Sequence, residues 1–187
     1  MLSNEEAYNL IKEEKLFLNP PIIDLTHTKY NFEMKSITQK NFKFFVDIEV
    51  KAEVIKIELS VGRYKTWKTS HNHRSKSVGN IGLLRVDFGG KHKNPSRANE
   101  HVPSWIARFA GKYFERYEPH VHIYVETYSM QRLKWAVPLE VFDFDGKAFS
   151  VKAINSIDDL ERVTREFEAI INARNRIRFM KSLFWYG

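Results

Sequence analysis

The chain has 187 residues, of which 43% are hydrophobic and 14% aromatic, and it carries a formal net charge of +7 without a single cysteine. This composition excludes a disordered chain, and the length suits one domain with a real core. Without cysteine there is no disulfide framework and no thiolate ligand, so a metal would be held by nitrogen and oxygen. The positive charge favours a partner that carries nucleic acid.

Two further exclusions concern the membrane. No apolar run approaches the roughly 20 residues needed to cross a bilayer. The first residues lack the basic and apolar regions of a signal peptide. These observations predict a cytoplasmic protein without membrane contact.

The first part of the chain predicts a helix followed by an antiparallel meander. Ser3 and Glu6 form a capping-box pair ahead of apolar residues at helical spacing, so we expect a helix over 4–15 that ends before Pro20. Apolar and polar residues then alternate, as they do in half-buried strands joined by short breaks. The predicted strands lie at 30–34, 42–50 and 54–61.

Residues 63–79 break this alternation and predict a loop. Cations are interleaved here with aromatic residues and histidines, an arrangement that suits a phosphate backbone and unstacked bases. The candidate partner-binding cations are Lys65, Lys68, Arg74 and Lys76. A solvated hairpin tip explains the same charges, and no RNA-binding signature accompanies them. His71 and His73 form a His-x-His pair, but the geometry of such a pair in a loop is undefined.

The strongest chemical signal is a second His-x-His pair, on a predicted strand at 120–126. Side chains two residues apart on a strand share a face, so His120 and His122 point the same way. A strand at 83–88 comes earlier and places Arg85 and Asp87 on one face. His92 follows the Gly89-Gly90 turn.

These residues predict a metal site with His92, His120 and His122 as ligands and Asp87 or water in the fourth position. Imidazole ligands favour zinc over magnesium or calcium. Three histidines plus water form an open, catalytic arrangement, whereas Asp87 would close the site into a structural one. A hydrogen-bonded polar cluster without a metal is the alternative.

Residues 96–118 separate the two strands of this site and form an inserted segment. Trp105, Phe109 and Tyr113 are spaced four apart, which predicts a short helix. The stripe suits core packing, but Trp105 and Arg108 are also residue types that anchor protein interfaces, and we take them as candidate partner-binding residues.

The end of the chain predicts a short strand at 148–151 and a helix capped by Ser156, followed by an apolar tail at 179–185 that we expect to join the core. The expected fold is α+β. An antiparallel sheet meander carries an N-terminal helix and C-terminal helices, all within a single domain over 1–187.

Three blocks of the sequence resemble an uncharacterised family common in bacterial genomes and prophages. The blocks are Leu84-Arg85-Val86-Asp87-Phe88-Gly89-Gly90-Lys91-His92-Lys93-Asn94-Pro95, Pro119-His120-Val121-His122-Ile123-Tyr124 and Lys134-Trp135-Ala136-Val137-Pro138-Leu139, with a similar tail at 167–184. The resemblance covers roughly the second half of the chain. Family members join the first two blocks by a short turn, whereas this chain has the insertion at 96–118.

The family brings no activity, but its prophage setting implies conflict between mobile elements and a host bacterial cell. The chain also resembles, in general character, small zinc-containing anti-CRISPR proteins of streptococcal phages. The expected function is therefore a metal-stabilised binding inhibitor of a host defence nuclease, such as a type II CRISPR effector, that blocks DNA loading with or without RNA contact.

Two alternatives to the inhibitor stay open. The first is a metal-dependent ribonuclease of toxin type, with Glu126 or Glu100 as base and the basic stretch as the RNA track. The second is an interaction domain whose polar cluster is only structural.

Overall fold

The computed structural model describes residues 2–57, 60–128 and 132–180, without the side chains of residues 51–66. The helices in this part of the chain are α1 (Asn4–Lys12), α2 (Ser104–Ala107) and α3 (Ile157–Ile170). The strands are β1 (Lys15–Phe17), β2 (Ile22–Ile23), β3 (Lys29–Ser36), β4 (Asn41–Ile57), β5 (Ser60–Ser75), β6 (Ile81–Phe88), β7 (His92–Lys93), β8 (Tyr113–Phe114), β9 (His120–Ile123), β10 (Trp135–Pro138) and β11 (Arg178–Phe179).

Seven of these strands form one antiparallel sheet in the order β1-β3-β4-β5-β6-β9-β10. The run from β3 to β6 is a meander, because each strand pairs with the next one along the chain. The sheet confirms the predicted α+β fold with an open antiparallel meander. Strand β4 is longer than expected, since it joins the predicted strand at 42–50 to the first half of the one at 54–61.

The predicted loop at 63–79 is wrong, because β5 extends to Ser75 and pairs with both β4 and β6. Alternation does continue along this strand, but polar side chains occupy the buried positions. The buried residues are Thr69, His71, His73 and Ser75. A reading based on apolar residues alone therefore misses the strand.

The two long helices cover one face of the sheet, and we call the opposite side the outer face. Helix α1 begins with the predicted capping box between Ser3 and Glu6 and ends at Lys12, earlier than expected, because β1 starts at Lys15. Helix α3 has the predicted Ser156 cap. Its Phe167 ring stacks on Phe44 of β4 with centroids 5.1 Å apart, which places α3 against the core.

The insertion is less helical than predicted. Helix α2 is only one turn long, and Tyr113 lies in β8, which pairs with β7 at the other end of the insertion. The buried side chain of Asn94 fixes this segment to the edge of the sheet: its Nδ2 donates to Ala136 O and its Oδ1 accepts from Ala136 N, both at 2.8 Å. The insertion therefore closes the β10 edge.

The C-terminal region differs from expectation in one element. Residues 148–151 form no strand, although Phe149 and Val151 are buried in the core. After α3, β11 pairs in parallel with β2. Of the expected C-terminal helices, the described residues contain α3, and the apolar tail from 181 onward lies outside them. No described helix is long and apolar enough to span a membrane.

Candidate metal centre

Three neighbouring strands bring a polar group together on the outer face of the sheet. In their register, Asp87 of β6 pairs with Ser70 of β5 on one side and with His120 of β9 on the other. Arg85 likewise pairs with His122. Directly paired residues of an antiparallel sheet point to the same face, so strand pairing alone assembles the group.

Asp87 lies at the centre of this group. Its Oδ1 accepts a hydrogen bond from Ser70 Oγ at 2.6 Å. Its Oδ2 lies 3.1 Å from His122 Nε2 and 3.8 Å from His120 Nε2, and 3.0 Å from Arg85 Nε. Burial raises the pKa of the Asp87 carboxyl, but the contact with His122 and the charge of Arg85 outweigh it and hold the pKa well below its usual range. Asp87 is therefore an anion at neutral pH.

Both imidazoles are fully buried and available as neutral ligands. His120 Nδ1 donates to the carbonyl oxygen of Glu118 at 2.8 Å, so this nitrogen carries the proton and Nε2 presents a lone pair. No hydrogen-bond partner reaches His120 Nε2 within the described part of the chain. Burial lowers the pKa of His120, and it lowers the pKa of His122 to about 3. Metal-bound histidines are commonly oriented by such a second hydrogen bond.

The ligand atoms of Asp87, His120 and His122 all lie within 4.8 Å of one another. In a tetrahedral zinc site with nitrogen and oxygen ligands at about 2.0–2.2 Å, the ligand atoms are about 3.3–3.6 Å apart. The distances of 3.1 and 3.8 Å from Asp87 to the two histidines bracket this separation. The arrangement can hold one metal ion after small side-chain shifts.

His92, the third histidine predicted as a ligand, lies beside this group. Its ring centroid is 4.4 Å from that of His122. Its Nε2, however, contacts Asn94 Oδ1 at 3.0 Å and Lys134 O at 3.1 Å, and both of these atoms are acceptors. The His92 Nε2 atom therefore carries a proton and has no lone pair to offer to a metal.

Two neighbours complete the surroundings: Phe114, which the sequence did not single out, and Arg85, which it placed on the same face as Asp87. Phe114 of the insertion packs on the His120 ring, with centroids 4.6 Å apart, and shields it. Arg85 Nη2 lies 2.6 Å from His122 Nε2. The Phe114 contact follows from no motif, because this residue reaches the centre only through the path of the insertion.

The second His-x-His pair lies on the opposite face of the sheet, in the core. His71 Nε2 is 2.9 Å from Thr164 Oγ1 of α3, and the His73 ring stacks on Phe42 at 5.3 Å. Burial lowers the pKa of both imidazoles. No carboxylate joins them in a ligand group within the described residues. The pair was expected in a loop, but it lies in a strand whose histidines are buried.

The predicted partner-binding cations are spread along β5 and the following turn. Lys68 is exposed and lies 3.9 Å from Glu49, and Lys76 is exposed and lies 3.1 Å from Glu33. Arg74 Nε and Nη2 donate to Asn80. Lys65 lies in β5, but its side chain falls outside the description.

The predicted interface residues of the insertion are both accessible. Trp105 is 39% exposed and lines a cavity of about 550 Å³ between α1, α2 and residues 142–145. Arg108 is exposed, and its guanidinium lies 4.9 Å from the centre of the Phe109 ring.

The candidate bases of the ribonuclease reading lie elsewhere. Glu126 Oε2 is 3.6 Å from His101 Nδ1, and Glu100 Oε1 is 3.5 Å from His101 Nε2. Neither glutamate belongs to the group of converging ligand atoms found among the described residues.

Fold and site together define an α+β protein whose open antiparallel sheet carries an Asp–His–His centre on its outer face. A family model, described as a family of unknown function (DUF6978), matches residues 2–173, so the chain belongs to that family. The match extends over the insertion and nearly the whole chain, further than the second half covered by the resemblance in the sequence blocks. No curated protein and no solved structure matches the chain.

Proposed function

We propose that the protein binds one zinc ion through Asp87, His120 and His122, and that this centre supports a non-catalytic binding protein. The observation that carries the proposal is the convergence of one carboxylate oxygen and two buried imidazole nitrogens. His120 Nε2 is oriented by the hydrogen bond of its ring to the Glu118 carbonyl and has no hydrogen-bond partner among the described residues. Two imidazoles and a carboxylate suit zinc better than calcium or magnesium. Water suits the fourth position better than His92, whose Nε2 is engaged with two carbonyl oxygens.

The contacts of Arg85 give the polar-cluster alternative its best argument. Its guanidinium lies against the same Asp87 and His122 atoms that a metal would use. An arginine donates hydrogen bonds and cannot accept one. If His122 Nε2 accepts from Arg85, it has no proton to donate to Asp87, so its 3.1 Å approach to the carboxylate places two lone pairs face to face. A cation bound by both atoms removes this conflict between lone pairs, provided that Arg85 releases His122 Nε2, whose single lone pair then binds the cation.

Three protein ligands and a water form the open arrangement that catalytic sites use, but the surroundings of this centre favour a metal without a catalytic role. Both histidines are fully buried, and Phe114 covers one of them. Glu100 and Glu126, the glutamates considered as bases, contact His101 rather than the centre, so neither is placed to activate a metal-bound water. The ribonuclease alternative thus loses the two bases that the sequence suggested for it.

Metal analysis tests the zinc proposal. Protein purified without a histidine tag should contain about one zinc per chain. His120→Ala and His122→Ala should each lose the metal, and the melting temperature of the wild type, but not of these variants, should fall when a chelator is added. His101→Ala is the matched control, because it removes a partly exposed histidine outside the centre and should keep the zinc. Wild-type protein without a stoichiometric transition metal would contradict the proposal.

The kind of partner is suggested by the sequence, through the resemblance to a prophage-associated family and the positive net charge. The protein acts as a phage- or prophage-encoded inhibitor of a nucleic-acid-bearing host complex, with a type II CRISPR nuclease and its guide RNA as the expected target. The net charge of +7 supports contact with phosphates or an acidic lobe. Lys68 and Lys76 are exposed to such a partner, and each would exchange a contact with a glutamate for it. Trp105 and Arg108 support an additional protein contact at the insertion.

Titration of the purified protein into such a nuclease–guide complex tests this role. An inhibitor forms an isolable complex and abolishes DNA binding and cleavage near an equimolar ratio, whereas an enzyme acts far below it. Trp105→Ala or Arg108→Ala should weaken inhibition at unchanged zinc content. Tyr117→Ala, which removes another exposed aromatic residue of the insertion, should not. Cleavage that persists in large molar excess of the protein would reject this target.

A further inference from the structure

A second pocket opens beside the metal centre, next to Arg85 and His92. Its volume is about 420 Å³, within the range of pockets that hold small ligands. Four of its lining residues are cations, namely Arg74, Arg85, Arg132 and Lys134, and none of the lining residues within the described ranges is a carboxylate. A ligand in this pocket therefore meets positive charge from several sides.

The neighbouring groove shows that this separation of charge is particular to the pocket. That groove, of about 560 Å³, shares Arg85 and is also lined by lysines, but it contains the carboxylates of Asp47, Glu49 and Asp87. Lys68 there lies 3.9 Å from Glu49. Opposite charges lie together within the groove, whereas Asp87, the carboxylate that contacts Arg85, is not among the residues that line the pocket.

The arginines of the pocket are held in place by polar neighbours. Arg74 Nε and Nη2 donate to the side-chain and backbone oxygens of Asn80 at 3.3 and 2.5 Å. Arg85 is oriented by Asp87. Burial lowers the pKa of the Arg74 guanidinium, and the charge of Arg85 lowers it further. An anion between the two guanidinium groups would relieve this repulsion.

Asn72 provides an independent sign of a missing partner. It lines the same pocket, and its Oδ1 is buried without a hydrogen-bond donor among the described residues. A buried acceptor without a donor costs about 1–3 kcal/mol. This atom has no accessible surface, so a ligand hydroxyl in the pocket would satisfy it after the amide turns toward the pocket.

We infer that the pocket bounded by Arg74, Arg85, Arg132 and Lys134 binds a phosphate group. Guanidinium groups form paired hydrogen bonds with phosphate oxygens, and lysine adds a point charge. The phosphate belongs either to a mononucleotide or to the backbone of a single-stranded nucleic acid. This inference goes beyond zinc binding and inhibition, and it does not depend on a bound metal.

Binding measurements with two probes test the inference. One arm uses adenosine 5′-monophosphate, and the other uses a fluorescent single-stranded oligoadenylate. The variant is Arg132→Ala with Lys134→Ala, two exposed residues outside the converging ligand group. The matched control is Lys29→Ala with Lys91→Ala, which removes the same charge from the neighbouring groove. Zinc content is measured on every sample, so failure of the zinc proposal is seen separately.

The wild type and the control should bind at least one probe, and the pocket variant should bind it more weakly. For the oligonucleotide, the loss of two phosphate contacts should reduce salt sensitivity. When the salt is raised from about 50 to about 200 mM, the affinity of both proteins falls. The fold-loss of the variant should be about seven times smaller than that of the wild type, given a slope of about −0.7 per contact for single strands. Weakening of mononucleotide binding alone identifies a terminal phosphate, and weakening of oligonucleotide binding alone identifies the backbone. The inference is overturned if neither probe binds or if the control loses as much affinity as the pocket variant.

Discussion

Replacement of Asn94 by alanine tests how the insertion is attached to the sheet. The Asn94 side chain makes four hydrogen bonds: Nδ2 donates to Phe109 O at 2.9 Å and to Ala136 O at 2.8 Å, and Oδ1 accepts from Ala136 N at 2.8 Å and from His92 Nε2 at 3.0 Å. It is 2% exposed, so water does not replace these contacts without rearrangement. Among the hydrogen bonds of the described residues, Asn94 is the only side chain that joins Phe109 of the insertion to β10, and the substitution removes it.

The cost follows from the groups left behind. Ala136 is fully buried, and both of its backbone groups that face away from β9 lose their partner. A buried polar group without a partner costs about 1–3 kcal/mol, so these two groups alone cost about 2–6 kcal/mol. We expect Asn94→Ala to lower the free energy of unfolding by about 4 kcal/mol, a large fraction of the 5–15 kcal/mol typical of a domain.

Urea unfolding monitored by tryptophan fluorescence measures this change, because the midpoint and slope give the free energy of unfolding. Asn99→Ala is the matched control. Asn99 also makes two side-chain hydrogen bonds, to Thr127 Oγ1 and from His101 N, but it is exposed and its partners are reached by water. The control should cost less than about 1 kcal/mol. An Asn94→Ala effect as small as that of the control would refute the argument that buried backbone groups depend on this amide.

Two further predictions concern buried charges and pH. Burial lowers the pKa of the Lys15 ammonium to about 7, so between this value and its ordinary 10.5 the unfolded chain binds more protons than the folded one, and stability should rise with pH. Lys15→Met should abolish that rise in urea unfolding, and an unchanged rise would show that another group causes it. Burial raises the pKa of Glu168, which accepts hydrogen bonds from Ile177 N and Arg165, so the folded protein holds its proton longer and stability should fall as pH rises above the ordinary value of 4.5. Glu168→Gln should flatten this fall, because glutamine does not titrate. The difference in the free energy of unfolding between wild type and variant should therefore grow in favour of the wild type as the pH is lowered toward 4.5, and a difference that shrinks would contradict the prediction.

The converging group of Asp87, His120 and His122 could be predicted because its arrangement depends on local rules. Alternation along a strand places His120 beside His122, and the same rule places Asp87 beside Arg85. The pairing of β6 with β9 then brings the two sets together. The sequence does not reveal this register. When two strands with one polar face each pair in the same sheet, however, their polar faces are expected to lie side by side.

Other features could not be predicted because they depend on tertiary packing. The histidines of β5 resemble exposed polar residues, and only the position of α3 over His71 shows that they belong to the core. Asn94 looks like an ordinary turn residue before a proline, and its role becomes visible only when Ala136 is known to lie at the sheet edge. The short α2 shows the reverse case, since the spacing of Trp105, Phe109 and Tyr113 suits a helix but the pairing of β8 with β7 ends it early.

The strand order also has a consequence for the rate and sequence of folding. The strands from β3 to β6 are joined in chain order and can form from short hairpins, whereas β9 reaches β6 only after the whole insertion has been closed off as a loop. Closing a longer loop costs more entropy, and contacts between distant parts of a chain form more slowly. Asp87 lies on the early side of this closure, and His120 and His122 lie on the late side. The meander should therefore be assembled before the centre exists, and the later pairing of β9 with β6 should be the step that creates the site.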